Sequence, residues 1–326
     1  MTTLGMEPKP LDRQRRHRGT AMELRFTLIR SLALIILLPG MVFAQEQGQK
    51  TFANPQDAGK ALYEAAKSGD KSAIEAVLGA SSSKILSSGD EVQDKNGRDT
   101  FIQRYEQMNR WAKEVNGEET LIVGVDNWPF PIPLKDKAGA WYFDTPAGEK
   151  EILFRRIGRN EIAAIRVCYA LTDAQEEYFG LKQQYAQKII SDPGQQDGLY
   201  WKTAEGESES PIGPLVAEAT SEGYGGQHDT PQPFHGYFYR ILTAQGANAA
   251  GGAKQYVADG KMTGGFAFVA WPAEYRNSGV MTFLIDQDGV VYQKNLGPQT
   301  SEAVKAMTTY NPDKSWKAVW AEEDDQ

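Results

Sequence analysis

His235 is the residue type in this chain best suited to moving a proton. Phe234 and Tyr237 flank it, and Glu274 or Asp229 are candidate acidic partners. A general base needs its partner and a nucleophile within hydrogen-bond reach. No Gly-x-Ser-x-Gly elbow, no His-Glu-x-x-His and no phosphate-loop motif accompanies it. A structural or surface histidine is therefore the plainer reading, and a hydrolase using His235 and Glu274 is the rival. His228 and His235 are too few and too loop-bound to argue zinc. Asp286-x-Asp288-Gly289 invites calcium, but a calcium loop needs six to eight oxygens from further acidic positions. Turn chemistry explains Asp and Gly there. The single cysteine, Cys168, can form neither an internal disulfide nor a multi-cysteine metal site. It falls on an apolar helix side, where packing rather than reactivity is expected. No metal and no cofactor is expected.

Trp128, Trp201 and Trp271 stand beside Pro or Tyr at loops or strand ends. Aromatics so placed can line a groove; core or inter-domain packing is the alternative. With His235, Glu274 and Tyr275 they make up the candidate ligand-binding set. Arg155, Arg156 and Arg159 suit an anionic partner, or else pair with carboxylates or stay solvated.

Elements must hold these residues, and the foremost is Ile157–Phe179. Ala164, Val167, Cys168, Leu171, Ala174 and Tyr178 fall on one side at helical spacing, and Ile162, Ile165 and Tyr169 widen it. The pattern predicts a spine helix with Asn160 as cap and Glu161 in its first turn. Before it, Asn54-Pro55 opens a helix, Asp70 caps a second, and a third spans Gly97–Glu114. Short strands follow at Leu121–Val125, Ile132–Leu134 and Trp141–Asp144, with a hairpin loop at Lys137-Ala138-Gly139. Trp128–Pro133, proline at alternate positions, suits only an edge strand or an extended segment. After the spine, residues 180–234 are loop-rich, with short helices at Tyr185–Ile190 and Leu215–Ser221. Strands return at Gly236–Leu242, Gly265–Trp271, Val280–Ile285 and Val290–Lys294, and a last helix lies near Ser301–Thr308. Phe266 and Phe268 share one strand face, as do Met281, Phe283 and Ile285, and the spine helix is the nearest long apolar cover.

Residues 1–44 read as a secretory leader. Six arginines precede the apolar run Leu32–Leu38, then Pro39 and a small residue, Ala44, before Gln45. Arg30 and Pro39 leave too few apolar residues for a span of about 20, so cleavage after Ala44 is expected rather than an uncleaved anchor. No cysteine follows the apolar run, which excludes a lipoprotein anchor. Met22 offers a shorter leader than Met1. The leader holds seven basic and three acidic residues, so its removal takes the net charge from −8 to −12. That acidity argues against nucleic acid as a partner.

Several words carry resemblances. ALYEAAKSGD and WYFD, in a helices-then-sheet order, resemble the cone-shaped domains typified by nuclear transport factor 2. NEIAAI, GGFAFVAWPAEY and SGVMTFLIDQDGVVY look like the globular part of type IV pilins and pseudopilins, a spine helix on an antiparallel sheet. Across the mature chain, FANPQDAGKAL, DNWPFPIPL, RRIGRNEIAAI, DGLYW, HGYFYRILTAQG and AWPAEYRNSGVMTF are similar to the Gram-negative secreted family known as domain of unknown function 2950. That resemblance brings no established activity. A pilin spine begins with an apolar membrane half, whereas Glu149, Lys150, Glu151, Arg155, Arg156 and Arg159 precede this one. No filament is expected.

The reading is an α+β protein: a leader (1–44), a helical and curved-sheet subdomain (45–155), and a spine-helix and antiparallel-sheet subdomain (156–326). The expected role is a periplasmic or secreted non-enzymatic binding or assembly factor. Its partner is an envelope protein or polymer, and membrane contact comes only through the leader.

Overall fold

Asn54 opens helix α1 (Pro55–Ser68) by accepting the Asp57 amide, and Pro55 fills a position where no amide bond is lost. Asp70 caps α2 (Lys71–Leu78) through the Ser72 amide. A 3-10 turn, Ala80–Lys84, follows. This computed structural model describes residues 46, 48–204, 206, 208–225 and 231–319. The expected leader, its cleavage point, His228 and Asp229 lie outside them.

The third helix differs from expectation. Asp90 accepts the Gln93 amide and starts α3 at Glu91; the helix ends at Gln107, so Met108 and Trp111 lie beyond it. Their spacing continues the helical period, but Trp111 belongs to strand β1 (Asn109–Lys113) and pairs with Leu121 of β2 (Glu119–Val123). Strand pairing overrides the local period here. Strand β3 (Trp128–Pro129) pairs with β2 off the main path, as a proline-rich segment must. A tight turn through Ala138 and Gly139 joins β4 (Leu134–Lys137) to β5 (Ala140–Phe143). The antiparallel order is β1-β2-β4-β5.

The spine helix α4 runs from Thr145 to Lys182, 38 residues, with Asp144 as cap and proline in its first turn. It starts twelve residues earlier than Ile157. Asn160 is therefore not a cap and Glu161 not a first-turn residue; both lie inside the helix. Asn160 is 1% exposed and hydrogen-bonds to Gln93 and to the Ser278 carbonyl. Glu161 accepts the amides of Val280 and Met281. The charged stretch before Ile157 is helix too. Gly148 lets it pass against Pro131 and Ile132, where a Cβ would stand 2.6 Å from the Pro131 carbonyl oxygen.

The two halves of α4 serve different cores. Ile152 and Leu153 pack with α1, α2, β4 and β5, whereas Ala164, Val167, Cys168, Leu171, Ala174 and Tyr178 belong to the larger C-terminal core. The 155/156 division thus falls inside one helix. Ile162 is exposed, so the apolar stripe is narrower than its sequence suggests.

Residues 185–190 form no helix; they make isolated bridges to Met262 and Tyr200. Helix α5 (Gly213–Ser221) follows. The second sheet comprises β6 (Tyr237–Leu242), β11 (Ala267–Pro272), β12 (Thr282–Asp286), β13 (Tyr292–Lys294) and β14 (Lys317–Ala318), in the order β14-β13-β12-β11-β6. Two short ribbons project between β6 and β11: β7 (Ala244–Gln245) with β8 (Lys254–Gln255), and β9 (Val257–Ala258) with β10 (Lys261–Met262). Tyr237, Phe268, Phe283 and Ile285 are fully buried in the core that includes the C-terminal half of α4. Arg240, on the alternate face, donates to the carbonyls of Val304 and Met307 at the end of α6 (Thr300–Ala306). The β12–β13 connection is a turn: the Asp288 amide bonds to the Asp286 carboxylate and the Gly289 amide to the Asp286 carbonyl. Among the described residues no group of three or more His, Cys, Asp or Glu side chains is arranged to hold a metal ion. No described helix is long and apolar enough to cross a membrane.

Candidate functional site

Helix α3 crosses the N-terminal half of α4 at a reciprocal amide pair, Gln93 with Asn160, at 2.8 and 3.2 Å. Below the crossing the helices diverge and leave a groove of about 590 Å³. Its floor is apolar, built from Leu62, Ile74, Leu78 and Ile132 of the smaller core. Phe101 and Phe130 line it with ring centroids 5.4 Å apart. None of the residues of α3 is buried. That helix is held by polar contacts, Gln93 to Asn160, Asn96 to the Glu222 carbonyl and Arg104 to Asp126, and by partly buried aromatics, Phe101 against the smaller core and Tyr105 stacked on Tyr63.

Along α3 the lining positions Gln93, Gly97, Phe101 and Arg104 form one helical stripe. Glycine inside a helix costs about 1 kcal/mol relative to alanine. At Gly97 a Cβ would meet nothing within 4 Å. The missing side chain widens the groove; packing does not require its absence.

The rim is cationic. Six Lys or Arg residues line the groove against two carboxylates, Asp94 and Glu222. Arg104 and Arg155 flank the Trp128 ring, 5.4 and 5.9 Å from its centre, and are paired to Asp126 and Glu151. Arg156 is buried and donates to the Asn277 side chain and the Ile85 carbonyl, which joins the two cores. Burial pushes its guanidinium below the usual range, with Asp94 opposing that shift. Arg98 and Arg159 make no hydrogen bond and no ion pair with any described residue.

At the far end His235 enters, 3.6 Å from the Glu222 carboxylate and tilted against Phe234 with centroids 4.0 Å apart. Asp90, 1% exposed, fixes this end. It accepts the Tyr224 hydroxyl at 2.8 Å and the Gly236 amide at 2.9 Å. Burial raises the Tyr224 phenol, with the Asp90 charge adding to it, so this hydroxyl stays a donor. His235 and Gly236 both take left-handed backbone conformations. Only glycine suits position 236, because a Cβ there would stand 2.4 Å from Asn160 Nδ2.

Of the six candidates read from sequence, Trp128 and His235 line this groove. Trp201 packs edge-on against Tyr178 near the end of α4, and Trp271 packs against Phe238. Glu274 accepts the Asn277 amide within its own turn, and Tyr275 donates to Asn295. The carboxylate beside His235 is Glu222. Phe101, Arg98, Glu222 and Tyr224 are site residues that sequence reasoning missed. A glycine at the first position of an expected helix carries no signal; Gly97 falls inside a helix only because α3 begins at Glu91.

The segment from Gln49 to Val319, which holds every one of these features, matches the family described as Protein of unknown function (DUF2950), residues 49–319. The chain belongs to that family. No curated protein and no solved structure matches it. In this member of DUF2950 the groove and its lining are the features that point to function. Cys168 offers no chemistry: it is buried, and burial pushes its thiol up to about 12.

Proposed function

We propose that the protein is an exported, non-enzymatic binding protein that takes a small organic ligand into the groove between α3 and α4. The groove itself carries the reading. Its volume is in the range of small-molecule sites, which span roughly 300–1,000 Å³, and an apolar floor meets a few polar groups at its ends. The basic, apolar and small-residue pattern of residues 1–44 supports export to the periplasm or beyond. The spine helix on an antiparallel sheet supports the likeness to pilin globular domains, and the charged first half of α4 speaks against filament assembly. The hydrolytic alternative rests on His235 beside Glu222 in place of Glu274; the groove lining holds no serine or cysteine, and the hydroxyl of its Thr100 donates to the Asn96 carbonyl within α3 rather than to His235.

Native mass spectrometry on protein recovered from the envelope fraction tests both parts. The expected species begins at Gln45 and carries a non-covalent adduct. Gly97→Trp should lose the adduct without a lower melting temperature, since the helix gains propensity and the space is open. A chain retaining its leader in the cytoplasm, or the same adduct on Gly97→Trp, contradicts the proposal.

A further inference from the structure

The charges around the groove run against the charge of the whole molecule. The chain without residues 1–44 has a net charge of −12, yet the groove lining carries six cations against two carboxylates. Exposed charges farther away than about 8 Å are screened at physiological salt, so the local cations set the potential felt inside the groove. Arg104 and Arg155 spend their charge on Asp126 and Glu151, and Arg156 is buried on a carbonyl and an amide. Three of the six lack an anionic partner among the described residues: Lys71, Arg98 and Arg159, of which only the two arginines carry a planar guanidinium fork. Arg159 also adds to the downward shift of the Arg156 guanidinium, a like-charge cost that an anion would relieve. Phe101, Phe130 and Ile152 supply an apolar bed beside them.

We infer that the groove binds an amphiphilic organic anion, with its acidic head between Arg98 and Arg159 and its apolar body along Phe101, Phe130 and Ile152. Guanidinium forks bind carboxylate or sulfonate oxygens with charge-assisted hydrogen bonds, about twice as strong as neutral ones. The apolar floor supplies affinity, and the arginines select for charge. This inference rests on the groove being the ligand site, and names what it selects.

Two fluorescent probes with the same aromatic body test it. Anilinonaphthalene sulfonate carries the charge, and N-phenylnaphthylamine lacks it. The purified protein should bind the sulfonate at one site, at least about tenfold more tightly than the neutral amine, and more weakly as salt rises. Decanoate should displace it; acetate and inorganic phosphate should not. Arg98→Gln with Arg159→Gln should lower sulfonate affinity about tenfold or more and leave the neutral probe unchanged. Neither side chain makes a hydrogen bond or ion pair with a described residue, so folding should survive, and an unaltered melting curve checks it. Equal affinity for the two probes, or displacement by phosphate alone, overturns the anionic-amphiphile assignment while leaving the groove as a binding site. Probe binding that is unaffected by Gly97→Trp overturns the groove itself.

Discussion

Asp286 shows what a side chain costs when a turn needs it. Its carboxylate holds the Asp288 amide and organises the β12–β13 turn, but the residue is 3% exposed. Burial, with the Asp288 charge adding to it, pushes its pKa up to about 6. Its folded-state value therefore lies above the unfolded one of about 4, and the native state holds more protons between the two. Stability falls as pH rises through that window and stays reduced above it. Asp286→Asn keeps an oxygen for the Asp288 amide and removes the charge. Urea unfolding should find it more stable than the native chain at about pH 8, by an order of 2 kcal/mol, with little difference near pH 4. An equal loss at both values would contradict the account. Asp and Gly in this position were legible as turn chemistry. Asp90 and Asn160 were not legible as tertiary groups, because their types also cap helices and their partners stand far away in sequence.

Helix α4 is the element on which both cores depend. Leu171 is 2% exposed in the larger core, on the side facing the second sheet. Leu171→Ala should lose about 2–5 kcal/mol in chemical unfolding. A loss under about 1 kcal/mol would show that the helix is not the cover this sheet needs. The C-terminal half of α4 was legible because apolar residues recur there at helical spacing. The first half was not. It presents charged residues and makes its contacts through Gly148, Ile152, Leu153 and Arg156, too sparse a set to show a period. Its start was nonetheless written in the sequence: Asp144 followed by Pro146 repeats the cap-then-proline grammar of Asn54-Pro55. Likewise Asp90-x-x-Gln93 has the spacing of a capping box and marks the true start of α3. The C-terminal strands were the most readable, since alternation and β-branched or aromatic content agree over β11 and β12.

For the whole molecule, the groove exists because two helices with different anchors cross once and then part. Apolar packing anchors the C-terminal half of α4, whereas α3, with no buried residue, is held over the opening by polar ties and partly buried aromatics. No local sequence pattern encodes that gap. It arises from the Gln93–Asn160 crossing, from Gly97, and from the way β3 brings Trp128 and Phe130 to the same side. The most direct measurement of the central claim is amide hydrogen exchange with and without saturating anilinonaphthalene sulfonate. A helix with no buried residue opens locally at low cost, so ligand contact should slow its exchange strongly. The account predicts added protection at residues 91–107 and 128–132 and along 152–159, with residues 265–295 of the second sheet unchanged. Protection confined to the second sheet, or none on α3, would contradict it.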